Sequence, residues 1–202
     1  MPTVSLNPTT CVEDTSVGSS TTSWSNPSYG VTDDSSWATN DITAFSAEVT
    51  YYLKATGTNP IPSPPGGYET TVDGIEIFIK GFSDEAGIAG AASTYSVRLV
   101  SGGTIVGDDL GTGGAVTIAE GSLDSIYSLG GSTEKWGLSN AQLLAVNGLA
   151  VSFLNSDLKD AHIQINNLYA VITYTESLLP SGDYWLRLKK RRSSFMMFME
   201  DD

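Results

Sequence analysis

"TVDGIEIFIKGF", residues 71–82, sets Ile75, Ile77 and Ile79 on one side and Glu76, Phe78 and Lys80 on the other. Apolar side chains at every second position are the mark of a strand with one buried face. The pattern returns at "LAVSFLNS" (149–156). It returns again in "AHIQINNLYAVITYTE" (161–176), long and rich in β-branched residues, which reads as a central strand. In "YSVRLVSGGTIVGDDLG" (95–111), two short strands flank Ser101-Gly102-Gly103, a tight hairpin signal. "FSAEVTYYLKATG" (45–57) is a further strand. It runs into "GTNPIPSPPGG" (57–67), where four of the eight prolines mark an exposed loop. "SDEAGIAGAAST" (83–94) reads as a flexible connection.

Only "SNAQLLAVNG" (139–148) has helical character, with Ser139 as cap and Gly148 as the closing glycine. Roughly eight strands with a turn signal every 8–15 residues exclude a βαβ fold. They predict an all-β chain: a single antiparallel β-sandwich, jelly-roll-like, over residues 23–177. An extended N-terminal arm (1–22), part of a Ser/Thr-rich region, precedes it, and a C-terminal docking tail (178–202) follows.

Charge divides the chain unevenly. Of 23 acidic residues 19 lie before position 181, against five of the ten basic ones, so the body carries about −14 and the tail about +1. A body this acidic repels phosphate backbones and disfavours nucleic-acid binding. Cys11 is the only cysteine and His162 the only histidine. That removes a disulfide framework within the chain and multi-Cys or multi-His metal sites. No stretch reads as a signal peptide or as an apolar span of about 18 residues, so no membrane segment is expected.

The search for chemistry returns structural readings first. His162 shares a strand face with Asp160, but no G-x-S-x-G elbow supplies a nucleophile. Asp33-Asp34, Asp84-Glu85 and Asp108-Asp109 sit beside turn residues and read as turn chemistry. The glycine-rich pieces lack the Lys-Ser/Thr of a phosphate loop. Trp24, Trp37, Tyr51, Tyr52, Tyr127 and Trp136 are candidates for a sugar platform, and more readily fill a core or an interface. No catalytic residue, metal ligand or cofactor is expected.

The tail is different. In "GDYWLRLKKRRSSFMMFMEDD" (182–202), Tyr184, Leu186 and Leu188 alternate with Trp185, Arg187 and Lys189, the pattern of a strand. A basic patch beside Phe and Met also suits a membrane surface, although the segment is short and its end acidic. The favoured reading is a docking peptide. Trp185, Arg187, Lys189, Lys190, Arg191 and Arg192 would meet an acidic surface, and Phe195, Met196, Met197, Phe198 and Met199 would fill an apolar groove. A neighbouring copy or another protein would supply that surface.

Six ordered pieces, "WSNP", "YYLKATG", "VDGIEIFIK", "YSVRLVSGGTIVGDD", "GGSTEKWGL" and "HIQINNLYAVITYTE", span residues 24–176. Together they resemble a family of small proteins encoded mainly in tailed-bacteriophage genomes. The resemblance implies a non-enzymatic virion structural component with a β-sandwich fold and brings no catalytic residues with it. It leaves two places in the particle. One is a head decoration (cement) protein bound to the major capsid protein. The other is a tail-associated fibre, adaptor or host-recognition protein bound to another virion protein. Short length and the absence of heptads or a repetitive shaft favour the first. A homo-oligomer, first of all a trimer, is expected in either place. The alternative from another class is a module that binds host-surface glycan. The chain departs from the family pattern at "GTNPIPSPPGGYETTV" (57–72) and in continuing past the closing strand.

Overall fold

The computed structural model describes residues 1–16, 22–43, 48–83, 92–118, 125–155 and 160–179. Eleven strands run through them: β1 (Thr3–Leu6), β2 (Thr10–Asp14), β3 (Ala38–Ile42), β4 (Tyr52–Thr56), β5 (Tyr68–Ser83) and β6 (Ala92–Ser101), then β7 (Thr104–Val106), β8 (Thr117–Ile118), β9 (Ser125–Gly130), β10 (Val146–Asn155) and β11 (Ala161–Leu178). All of these strands pair antiparallel, in two sheets that face each other across one core.

In the first sheet β11 lies between β5 and a line of two short strands, β3 and β1, and β9 closes the other edge. In the second, the order β2-β4-β10-β6 ends on β7 and β8, which share one side of β6. From β3 onward the chain alternates between the sheets, except at the β6–β7–β8 edge. The resulting orders, β3-β11-β5-β9 and β4-β10-β6-β7/β8, are those of an eight-stranded jelly roll. Within the stretch expected as an arm ahead of the sandwich, the described residues supply a strand to each sheet: β1 adds to the first and β2 to the second.

The deciding stretch does what its alternation predicts. Ile75, Ile77 and Ile79 are fully buried, and Glu76, Phe78 and Lys80 are half-exposed on the outer face. On β11, Ile163, Ile165, Leu168, Ala170 and Ile172 meet them inside. The change of parity between Ile165 and Leu168 comes from a bulge at Asn166. That bulge has a use, because the Asn166 carbonyl accepts from the backbone N–H groups of Thr32 and Asp33 and pins a surface turn to the sheet. Gly102 and Gly103 form the two-residue β6–β7 turn, both at positive φ (57° and 82°), the conformation that a type I′ hairpin demands.

β10 is buried on both faces, which its alternation did not suggest. Its outward Ala150 and Ser152 are covered by side chains from β4 that lie flat across it. The Tyr52 hydroxyl reaches over β10 to Ser96 Oγ on β6, 2.6 Å away. Lys54 crosses the same strand to the Gly103 carbonyl (3.3 Å) and also pairs with Asp14. The helical segment is a single turn, α1 (Asn140–Leu143), where Ser139 N–H and Oγ both donate to Gln142 Oε1. Gly148 does not close it: Leu144 caps the turn, and Gly148 lies within β10, its Cα so close to the Ala55 carbonyl of β4 that a side chain would collide.

Candidate functional site

The titratable groups singled out in the sequence mostly serve the fold. His162 lies opposite Asp41 in the β3–β11 ladder, and its Nδ1 is hydrogen-bonded to that carboxylate on the outer face. Asp33 is ion-paired with Lys80 at 2.7 Å. Asp34 accepts from Ser36 N–H (2.6 Å) and Thr32 Oγ1 (3.1 Å), and the Ser36 bond holds its carboxyl below the usual range. Asp109 accepts from the backbone N–H groups of Val97 and Gly111, each at 2.9 Å. The bonds from Ser36 N–H to Asp34 and from Gly111 N–H to Asp109 are the turn roles that the sequence predicts, whereas the Asp33 side chain pairs with Lys80 of β5 instead. Asp84-Glu85 lies outside the described residues. Burial pushes the Cys11 thiol up to about 12, so it stays protonated and unreactive at neutral pH. Among the described residues no group of three or more His, Cys, Asp or Glu side chains could hold a metal ion.

The aromatic residues go mainly inward. Trp24 meets Phe153 edge-on, with ring centroids 6.1 Å apart, and donates from Nε1 to the Tyr51 carbonyl. Trp136 is fully buried and donates to the Ile75 carbonyl at 2.9 Å. Tyr52 is buried on the outer side of the second sheet, and Tyr51 and Tyr127 pack against the core. Trp37 packs edge-on against Phe82. Packing accounts for all six.

What remains is the end of the molecule from which the tail departs. Past Ile75 and Thr173, β5 and β11 continue as a two-stranded ribbon, from the pair Val72–Tyr174 to the pair Tyr68–Leu178. Tyr68 and Leu178 are exposed, 38% and 68%, and lie directly opposite one another. Thr175 Oγ1 donates to Asp73, and Glu69 and Glu176 make this end acidic. Beside the ribbon, the proline loop frames a cleft of about 440 Å³ lined by Asn59, Ile61, Pro62, Pro64, Thr70 and Leu144, among others. Asn59 shapes the loop by donating to the Leu144 carbonyl (2.5 Å) while accepting from Ile61 N–H (2.8 Å).

The predicted docking residues Trp185, Arg187, Lys189, Lys190, Arg191, Arg192, Phe195, Met196, Met197, Phe198 and Met199 lie outside the described residues. The chain reaches them from Leu179, whose N–H donates to the Gly67 carbonyl at the base of the proline loop. Sequence reasoning passed over Tyr68, Glu176 and Leu178 at this exit. The available signal was the abrupt change of β5 and β11 from Ile and Val to Thr, Glu and Ser. The chain matches no protein-family model, and a search of curated proteins gives no match.

Proposed function

We propose that the protein is a non-enzymatic structural component of a tailed-phage virion, most readily a head decoration protein that binds the capsid surface. One observation carries the reading: the six ordered pieces that resemble the phage family fall on the frame of one jelly roll. "YYLKATG" covers β4, "VDGIEIFIK" lies within β5, "YSVRLVSGGTIVGDD" spans the β6–β7 hairpin, and "HIQINNLYAVITYTE" is most of β11. "WSNP" supplies the buried Trp24, and Asn26 in the left-handed region (φ 52°) ahead of a short 3-10 turn. "GGSTEKWGL" supplies Trp136, also at positive φ. A motif built from core anchors and turns marks a scaffold. Two-sheet jelly rolls are used by viral shell and lectin domains alike, and the ordered motif tips the choice toward the virion.

On this reading the module assembles as a homo-oligomer, a trimer first of all, and the basic and Phe/Met parts of the tail bind the major capsid protein or another virion protein. Antibody labelling of purified particles tests it. Label over the head supports decoration, label confined to the tail supports the fibre or adaptor alternative, and unlabelled particles overturn both. Deleting residues 181–202 should leave a folded body that no longer binds the particle. Unchanged occupancy would remove the tail from the mechanism.

A further inference from the structure

Most edge strands of the two sheets are guarded. β7 and β8 are only three and two residues long. β2 ends on Glu13 and Asp14, and β3 carries Asp41. Short length and charge are usual protections of an edge against pairing with another chain. β9, Ser125-Ile126-Tyr127-Ser128-Leu129-Gly130, has six residues, no charge and no proline. It pairs with β5 and, among the described residues, with no other strand. The direction of its backbone groups follows from one bond. Gly131 N–H donates to the Ile75 carbonyl (3.2 Å), so in this register Leu129 and Tyr127 exchange bonds with Ile77 and Ile79. Groups alternate along a strand, so the N–H and C=O of Ile126 and Ser128 point away from β5. Both residues are exposed, Ile126 by 56%. Their side chains lie on the outer face, Ile126 opposite Lys80 and Ser128 opposite Phe78, whose ring stacks on Tyr169 at 4.8 Å.

We propose that this edge is an interface between two copies of the chain: β9 pairs antiparallel with β9 of a second molecule across a two-fold axis, joining the two first sheets into one. Charge selects the occupant. The first 180 residues carry about −14, so copies repel over most of their surface and approach where acids are absent. β9 is such a place. It has no charged side chain, the residue opposite Ile126 is a cation, and Glu76 lies opposite Gly130, at the end of the strand. Outward groups must meet outward groups, which fixes the parity of the pairing. With Tyr127 on the axis, Ile126 falls opposite Ser128 of the partner subunit, and the same exchange of backbone bonds is made twice, as an isologous contact requires. This register stops short of Gly130, whose φ of 86° takes the chain out of strand geometry. On the outer face Ile126 then packs beside the partner's Ser128, with the aromatic pair in the next rows. The inference is independent of the virion reading. A two-fold contact makes a dimer by itself and links trimers where a three-fold is also present.

Sedimentation equilibrium and amide hydrogen exchange on the full chain, across a wide range of protein concentration, test it. Ser128→Pro removes an outward N–H and none of the bonds to β5, and Ile126→Lys places a charge on the edge at an exposed position. Each should weaken self-association at least about tenfold. Ile126→Lys should leave the circular dichroism and melting of the monomer close to wild type, which separates loss of pairing from loss of fold. In the wild type, exchange at the N–H groups of Ile126 and Ser128 should slow as the dimer fraction rises, while those of Tyr127 and Leu129, bonded to β5, keep constant protection. A wild type that stays monomeric at every concentration overturns the proposal. So does an oligomer that neither variant weakens. Protection of Ile126 and Ser128 that does not depend on concentration overturns it too, because the edge is then covered by its own chain.

Discussion

β5 and β11 pair along their whole length, yet they are two different objects in turn. From Ile75 to Ser83 and from Ala161 to Thr173 they carry the core, with Ile, Leu and Ala inside and a bulge at Asn166 that ties down a surface turn. From Tyr68 to Val72 and from Tyr174 to Leu178 the same ladder runs on with Thr, Glu and Ser, and most of its side chains are exposed. Backbone pairing is interrupted at the boundary only by a one-residue bulge at Asp73 and then resumes as far as Tyr68–Leu178, so loss of pairing does not decide where the sandwich stops. Apolar burial does. The inner half should therefore answer to volume, and the ribbon to edge and contact chemistry.

The largest effect is expected inside. Trp136→Ala removes a fully buried indole and its bond to the Ile75 carbonyl, at a cost of about 3–5 kcal/mol in chemical denaturation. Ile77→Ala should cost about 2–5 kcal/mol by the same mechanism. At the boundary, Asn140→Ala leaves the Thr70 carbonyl and Val72 N–H unpaired. The expected loss is about 1–3 kcal/mol, with faster amide exchange concentrated at residues 68–72. Equal slowing or speeding across the whole sheet would erase the distinction between the two halves. Out on the ribbon, Thr175→Ala should change stability by less than about 0.5 kcal/mol, although it removes the bond to Asp73.

A pH-dependent effect is expected at the Asp14–Lys54 pair. Burial pulls the Asp14 carboxyl upward, but its bonds to Lys54 and Ser16 outweigh that and hold it below the usual range. A carboxyl lowered by folding contributes stability above its unfolded value, near pH 4, and loses it as pH falls through its folded value. Lys54→Met should therefore cost up to about 1 kcal/mol more at pH 7 than in acid well below the folded value of Asp14, as read by denaturation across that range.

The readable parts of the fold were those with a strong period. Residues 71–82 and 161–176 announce their strands and their faces, and Ser101-Gly102-Gly103 announces its hairpin. The short edge strands do not. β1, β2 and β3 are four or five residues each, set in Ser- and Thr-rich sequence, and β3 turns Asn40 into the interior where an apolar residue would complete the pattern. That buried amide has no hydrogen-bond partner among the described residues. The coverage of β10 was hidden for another reason: it depends on Tyr52 and Lys54 reaching across an intervening strand, a relation between residues about a hundred positions apart. Asn140 acting as a substitute strand is equally invisible in one dimension. The exit of the tail was legible as a change of composition.

Among the described strands, the central one of each sheet is also one of the last two. β10 joins β4 to β6, and β11 joins β1 and β3 to β5. During synthesis every flanking strand leaves the ribosome before the strand it must pair with, and neither sheet can close until residue 155 or beyond has emerged. Until then β4, β5 and β6 can pair on one side only, with β2, β9 and β7, and each keeps its other edge open. Long-range pairing of this kind folds slowly, on the order of milliseconds to seconds, and prolongs exposure to misassociation. The acidic character of the first 180 residues gains a second meaning there, as mutual repulsion among nascent chains that have their edges but not yet their centres.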